Sequence, residues 1–157
     1  MSPSSLPPRL VMYQPDMPQN LGNMLRLCAC LGAPAELIEP CGFPFDEKRM
    51  KRAGMDYIDQ VALTRHASWA AFQAWRARQP IAPRLILLSA HATISYTDFA
   101  YQPGDLLMVG QESAGVPEAV THACDSAITI PMAPGVRCLN VSSAAAIILS
   151  EALRQLR

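Results

Sequence analysis

The sequence predicts an α/β fold: a mostly parallel sheet with helices on both faces. Two observations carry this. Short apolar runs alternate along the chain with longer stretches whose apolar residues recur at three- and four-residue steps. The runs are near-continuous rather than alternating, as strands buried on both faces require.

"RLVMYQ" (9–14) is the first expected strand. From Pro18 to Leu31 the spacing of Leu21, Met24, Leu25, Cys28 and Leu31 predicts a helix, which "LGAP" ends. "AELIEP" (35–40) is the second strand. "FDEKRMKRAG" (45–54) reads as a short basic helix with acids in its first turn, Met50 and Ala53 inward, and Gly54 as its stop. "QVALTR" (60–65) is a third strand, and "HASWAAFQAWRARQ" (66–79) an amphipathic helix with Trp69, Phe72 and Trp75 on its inner face. "RLILLS" (84–89), "DLLMVG" (105–110) and "AITIP" (127–131) are strands, with "AGVP" starting a helix after the second of them. From Asn140 to Arg157 a last helix carries Val141, Ala145, Ile148, Ala152 and Leu156 along one side. No linker or repeat interrupts the chain, so residues 1–157 are expected to form one domain.

Half of the residues are hydrophobic and 6% aromatic, and 13 basic residues balance 13 acidic ones. Global charge gives no support to a nucleic-acid partner, so any such reading rests on local patches. The five cysteines (Cys28, Cys30, Cys41, Cys124 and Cys138) include no C-x-x-C pair, and the three histidines are scattered, so no metal site is expected. Free thiols without a signal peptide point to a reducing cytoplasm. No apolar stretch reaches the ~20 residues of a membrane helix, so no membrane partner is expected.

In parallel sheets the ligand sits beyond the carboxyl ends of the strands. That places "QPDMPQNLGNMLR", "GQESAGVP" and "IPMAPGVRCLN" on one rim. The loop after the first strand has one glycine and two prolines, which rejects a dinucleotide-type Rossmann site, and no Walker-type "GxxxxGK" occurs. Asn20 and Arg26 suit an anionic group near a helix start, against the plainer reading of an Asn cap and a solvated arginine. Arg26 is flanked in sequence by apolar residues ("NMLRLCACL"), so it is expected to need a partner. Lys48, Arg49, Lys51 and Arg52 are either a solvated helix or a phosphate-backbone contact, which Arg65 and His66 extend. Asn140 stands just before the small-residue run "SSAAA", which Ser142 and Ser143 open; there a ligand or a second backbone approaches closely, or Asn140 simply caps an alanine-rich packing face.

Together, "NLGNMLR", "GQESAGVP" and "IPM…RCLNVSSAAAI" resemble the three motifs of the SPOUT class of RNA methyltransferases, in family order, spanning residues 8 to 157. "DEKRMKRAGMDY" and "TRH" are similar to the small single-domain branch that methylates the ribose 2′-hydroxyl of the wobble nucleotide, position 34, of certain leucine tRNAs. The resemblance implies a C-terminal trefoil knot, a homodimer, and S-adenosylmethionine bound at positions matching Leu88, Gly110, Ile130 and Cys138. It also implies that Asn20, Arg26, Glu112 and Asn140 are polar active-site residues acting on tRNA. Cys138 stands where relatives usually carry serine. Two rivals are a base methyltransferase of the same fold, with Glu112 as the acid–base group, and a non-catalytic RNA-binding homologue.

Overall fold

The computed structural model describes residues 6–52, 56–136 and 139–157. Its centre is a six-stranded sheet in the order β3-β2-β1-β5-β4-β6. The strands are β1 Arg9–Tyr13, β2 Ala35–Ile38, β3 Leu63–His66, β4 Leu85–Leu88, β5 Leu106–Val109 and β6 Ser126–Ile128, and every pairing is parallel. The sheet is therefore wholly parallel, beyond the mostly parallel arrangement expected.

Successive residues of a strand face opposite sides. Leu10 and Met12 of β1 join one apolar cluster with Leu37, Leu107 and Val109, covered by helices α1 (Pro18–Leu31) and α5 (Val141–Leu156). Val11 and Tyr13 face the other cluster with Ile38, Leu106 and Met108, covered by Phe72 of α3 (Trp69–Ala77) and Val120 of α4 (Glu118–Ala123). The expected helical stripes hold: Leu21, Met24, Leu25 and Cys28 of α1 are buried, as are Ala145, Ile148 and Ala152 of α5. Each fully buried Leu or Ile in these stripes contributes about 1.5–3 kcal/mol relative to exposure. Burial also pushes the Cys28 thiol up to about 12.

Several element ends differ from the sequence expectation. Gln14 leaves β1 with a φ of 41° and so turns the chain towards α1 instead of extending the strand. The third strand begins at Leu63 because Asp56–Gln60 forms a 3₁₀ helix after the basic helix α2 (Glu47–Arg52). Ser68, not His66, starts the following helix, its hydroxyl accepting from the Ala71 amide at 3.0 Å. Met50 packs partly buried against the first core cluster, whereas Ala53 and Gly54 lie outside the described residues.

Three ion-pair clusters are set into the frame. Arg84 pairs with the buried Asp105 at 2.6 Å just before β4 and β5, at the end of the sheet opposite the strands' carboxyl ends. Arg76 pairs with Asp125. Glu36, fully buried, takes His66 Nε2 at 2.9 Å and Arg9 Nη1 at 3.0 Å. No described helix is long and apolar enough to cross a membrane.

Candidate active site

Loops leaving β1, β5 and β6 meet on one rim, as expected from the parallel sheet. The loop after β5 closes on itself: the amides of Gln111 and Gly115 each donate to the other's carbonyl at 2.9 Å. Gly110 is what this closure demands. A Cβ there would lie 2.7–2.9 Å from three backbone atoms of Gly115, closer than real Cβ contacts allow. The space beside Gly110 is thus filled by the loop's own backbone, a reason for glycine separate from cofactor approach.

A cleft of about 660 Å³ opens beyond the ends of β4, β5 and β6. Leu88, Gly110 and Ile130, three of the expected cofactor positions, line it together with Met132, Leu139 and Ala144. The fourth, Cys138, lies outside the described residues. A volume of this size and a mainly apolar wall suit a small-molecule ligand. A smaller pocket adjoins it, sharing Val109, Gly110, Glu112 and Val141, and adds Tyr13, Asp16 and Asn20. Burial raises the Tyr13 phenol above its usual range, so it stays neutral.

Three of the four expected active-site residues converge here. Asn140 Nδ2 lies 3.1 Å from Asn20 Oδ1 and 3.1 Å from Glu112 Oε1, donating to both. Its Oδ1 accepts from the Ser142 amide at 2.9 Å and from the Ser142 hydroxyl, so Asn140 caps α5 and joins the cluster at once. Asn20 is not a cap; Met17 occupies that position in α1, with Pro18 opening the helix. Asn20 is 5% exposed, and its Nδ2 has no hydrogen-bond partner among the described residues. A buried amide donor left without a partner costs about 1–3 kcal/mol, which a hydroxyl acceptor entering the site would recover.

Arg26 is a correction. It is exposed, not embedded among the apolar residues that flank it in sequence. At about 100° per residue, six residues turn it some 120° away from Asn20. Its guanidinium lies 5.9 Å from the centre of the Tyr57 ring, and Tyr57 Oη donates to the Gly22 carbonyl at 2.9 Å. Arg65, an expected RNA contact, is paired within the fold. Its Nε and Nη2 donate to Glu39 at 3.0 and 2.7 Å, and its guanidinium lies 4.4 Å from the Phe45 ring centre, so its charge already faces a carboxylate. Lys51 pairs with Asp59 at 2.7 Å, whereas Lys48, Arg49 and Arg52 have no carboxylate partner among the described residues. No group of three or more His, Cys, Asp or Glu residues that would hold a metal occurs among the described residues.

Sequence reasoning missed Asp16, Gln111 and Ser113 at this rim. Asp16 stands quoted in "QPDMPQN" but offered no pattern of its own; only folding brings it to Ser113.

An all-parallel α/β sheet with an apolar cleft beyond its strand ends and an amide–carboxylate cluster beside it defines a known class. Residues 7–150 match the SpoU rRNA methylase family, and the chain belongs to it. Among its relatives, the tRNA (cytidine(34)-2'-O)-methyltransferase of Beijerinckia indica subsp. indica is 57% identical over 146 residues, 93% of this chain and 90% of that one. The enzyme of the same name from Escherichia coli (strain K12) is 42% identical over 149 residues, 94% and 92% of the two chains. A solved structure described as giving insights into the 2-OH methylation of C/U34 on tRNA superposes with a TM-score of 0.84 at 41% identity, covering 95% of this chain and 90% of that one. The SpoU methyltransferase AviRb from Streptomyces viridochromogenes, solved with AdoMet, superposes at 0.83 with 28% identity, over 96% of this chain and 57% of that one.

Proposed function

We propose that the chain transfers a methyl group from S-adenosylmethionine to the ribose 2′-oxygen of nucleotide 34 of tRNA, with leucine tRNAs as its substrates, in the cytoplasm. The observation that carries this reading is the Asn20–Asn140–Glu112 cluster, with the unpartnered amide of Asn20, beside a cleft of cofactor size. When bound, S-adenosylmethionine supplies an electrophilic methyl group on a sulfonium. Leu88, Gly110 and Ile130 fit its cleft, and Cys138 is assigned to the same site from the family pattern.

The chain's own residues orient the acceptor. Asn20 Nδ2 donates to an oxygen of the incoming ribose, and Asn140 fixes the Asn20 amide by holding its Oδ1. Holding the hydroxyl in line is worth several kcal/mol of the barrier. Glu112 already accepts from Asn140, so it serves as a fixed polar wall more readily than as a free base for a ring nitrogen. Arginine, with a pKa above ~12, is a poor proton acceptor. Arg26 instead holds a phosphate beside the reacting ribose, and that phosphate polarises the hydroxyl or takes its proton. The exposed cations Lys48, Arg49 and Arg52 supply phosphate contacts. A homodimer enlarges the tRNA footprint, α2 of one copy reaching towards the other's site. The knot implied by the family motifs belongs to this reading as well.

The test is nucleoside mass spectrometry of unmodified tRNA after incubation with the protein and S-adenosylmethionine. New 2′-O-methylcytidine or 2′-O-methyluridine is expected. A base-methylated nucleoside would overturn the ribose chemistry and the role given to Asn20.

A further inference from the structure

Glu112 is exposed on a loop, yet its carboxylate must stand within 3.1 Å of Asn140 Nδ2 for the cluster to exist. The reciprocal Gln111–Gly115 bonds give that loop its shape but do not anchor it to the rest of the rim. Two other contacts do. Gln111 Nε2 donates to the Gln14 carbonyl at 3.0 Å, and Ser113 Oγ donates to Asp16 Oδ2 at 2.5 Å. Gln14 and Asp16 belong to the turn that carries β1 into α1, and Asn20 lies four residues beyond Asp16 in the first turn of α1. That turn is held from behind, where the Gly42 amide donates to the Pro15 carbonyl at 2.9 Å. The residues on either side of Glu112 are therefore tied to the segment that presents Asn20, 97 positions away in the chain in each case.

We infer that Asp16 and Ser113 form a latch that positions Glu112 against Asn140 and Asn20, making Asp16 a positioning residue for the transfer. The inference rests on the methyl-transfer reading of the site. Asp16 lines the smaller pocket beside Asn20 and Glu112, but its carboxylate is directed to the Ser113 hydroxyl. A charge-assisted bond of this kind is stronger than a neutral one. It acts through the loop, so its loss should slow transfer without changing how tightly cofactor or tRNA binds.

The experiment compares full-length Asp16→Ala, Ser113→Ala, the double variant and Ser113→Thr. Single-turnover methyl transfer to tRNA is measured at saturating S-adenosylmethionine, with KM for tRNA, cofactor affinity by calorimetry, and hydrogen exchange over residues 110–116. Each alanine variant should slow transfer roughly fivefold to tenfold, with both affinities within about twofold of the parent. The double variant should be no slower than the worse single one, since both remove one bond. Ser113→Thr, which keeps the hydroxyl, should recover the rate. Exchange over the loop should rise equally in the two alanine variants. A full rate in Ser113→Ala, losses that multiply in the double variant, or a threonine variant as slow as the alanine one would overturn the latch. A parent protein that methylates no tRNA would defeat the methyl-transfer reading and the latch's role in it. Unchanged loop exchange would defeat the latch by itself, whatever the activity.

Discussion

Gly110→Ala separates steric closure of the β5 loop from ordinary glycine conformational effects. The new Cβ would sit 2.7 Å from the Gly115 carbonyl carbon, 2.8 Å from its oxygen and 2.9 Å from its Cα. All three are backbone atoms, so no flexible side chain can step aside. Relief requires the loop to open, which breaks the two reciprocal Gln111–Gly115 bonds. At about 1 kcal/mol net each, those bonds cost about 2 kcal/mol, and loosening the Glu112–Asn140 and Ser113–Asp16 contacts adds about 1 kcal/mol more. With 157 residues the unfolding entropy is about 0.33 kcal/mol per degree, so the ~3 kcal/mol loss lowers Tm by roughly 9 °C. Gly32→Ala is the control. Gly32 ends α1 at a φ of 69°, with nothing within 4 Å of an added Cβ, so only conformational strain of about 1 kcal/mol, or roughly 3 °C, is expected. Differential scanning calorimetry reads both, and titration calorimetry with S-adenosylmethionine should show at least tenfold weaker binding for Gly110→Ala alone, because Gly110 lines the cleft. A Gly110→Ala protein that melts no lower than Gly32→Ala and binds the cofactor normally would refute the closure argument.

Asn140→Ala should remove a helix cap worth about 1 kcal/mol, lowering Tm by roughly 3 °C, while slowing transfer by about a hundredfold through the loss of both 3.1 Å bonds; a transfer rate within threefold of the parent would exclude it from the site. Charge reversal at Lys48, Arg49 or Arg52 should weaken tRNA binding and flatten its salt dependence more than reversal at Lys51 or Arg65, whose charges already face Asp59 and Glu39; filter binding across a salt series decides. Glu36→Ala should cost about 1–3 kcal/mol, because it leaves the buried His66 Nε2 without its partner while the partly exposed Arg9 turns to water, and a chemical-denaturation midpoint measures it. Arg154 and Gln155 beside Glu151 hold its carboxyl down to about 2, so its contribution to stability is complete above its ordinary value and fades as pH falls towards 2; Glu151→Gln should flatten the acid limb of the stability curve. At pH 8, alkylation followed by peptide mapping should mark the exposed Cys30 well before Cys28, Cys41 and Cys124, whose thiols burial pushes up to about 12, 11 and 11.

Local rules carried the elements far better than the pairings. The α1 stripe was legible because Leu21, Met24, Leu25 and Cys28 obey the helical period, and burial followed it. The same period also contained the answer for Arg26. Its apolar sequence neighbours are not its spatial ones; residues three and four away on the helix surface are Gly22, Asn23, Ala29 and Cys30, a face with room for an exposed guanidinium. Arg65 was illegible for a different reason. Its partner Glu39 follows β2, and the two meet only because β2 and β3 pair in parallel with Ile38 opposite His66, a register that no local pattern specifies.

The candidate site cluster divides along the same line. Asn20 and Asn140 were legible as polar residues beside helix starts, but their bond joins positions 120 apart in the chain. That contact exists because β1 and β5 are neighbours at the centre of the sheet while α1 and α5 pack on one face of it. Asp16 and Ser113 are brought together by the same topology. Either residue alone is an ordinary turn residue, for which sequence gives a sufficient local explanation. Their tie across the rim is a property of the pair, and a local explanation that suffices for each member hides it. The latch also connects the loop to the rim by a single side-chain bond on the exposed side of Glu112, with Gln111 securing the other side. A loop tied at both flanks of its functional residue can hold that residue while the cleft beneath it exchanges ligand. If Ser113→Ala slows transfer without loosening cofactor binding, aiming Glu112 and holding the cofactor are separable in this fold, although Glu112 lines both the cleft and the smaller pocket.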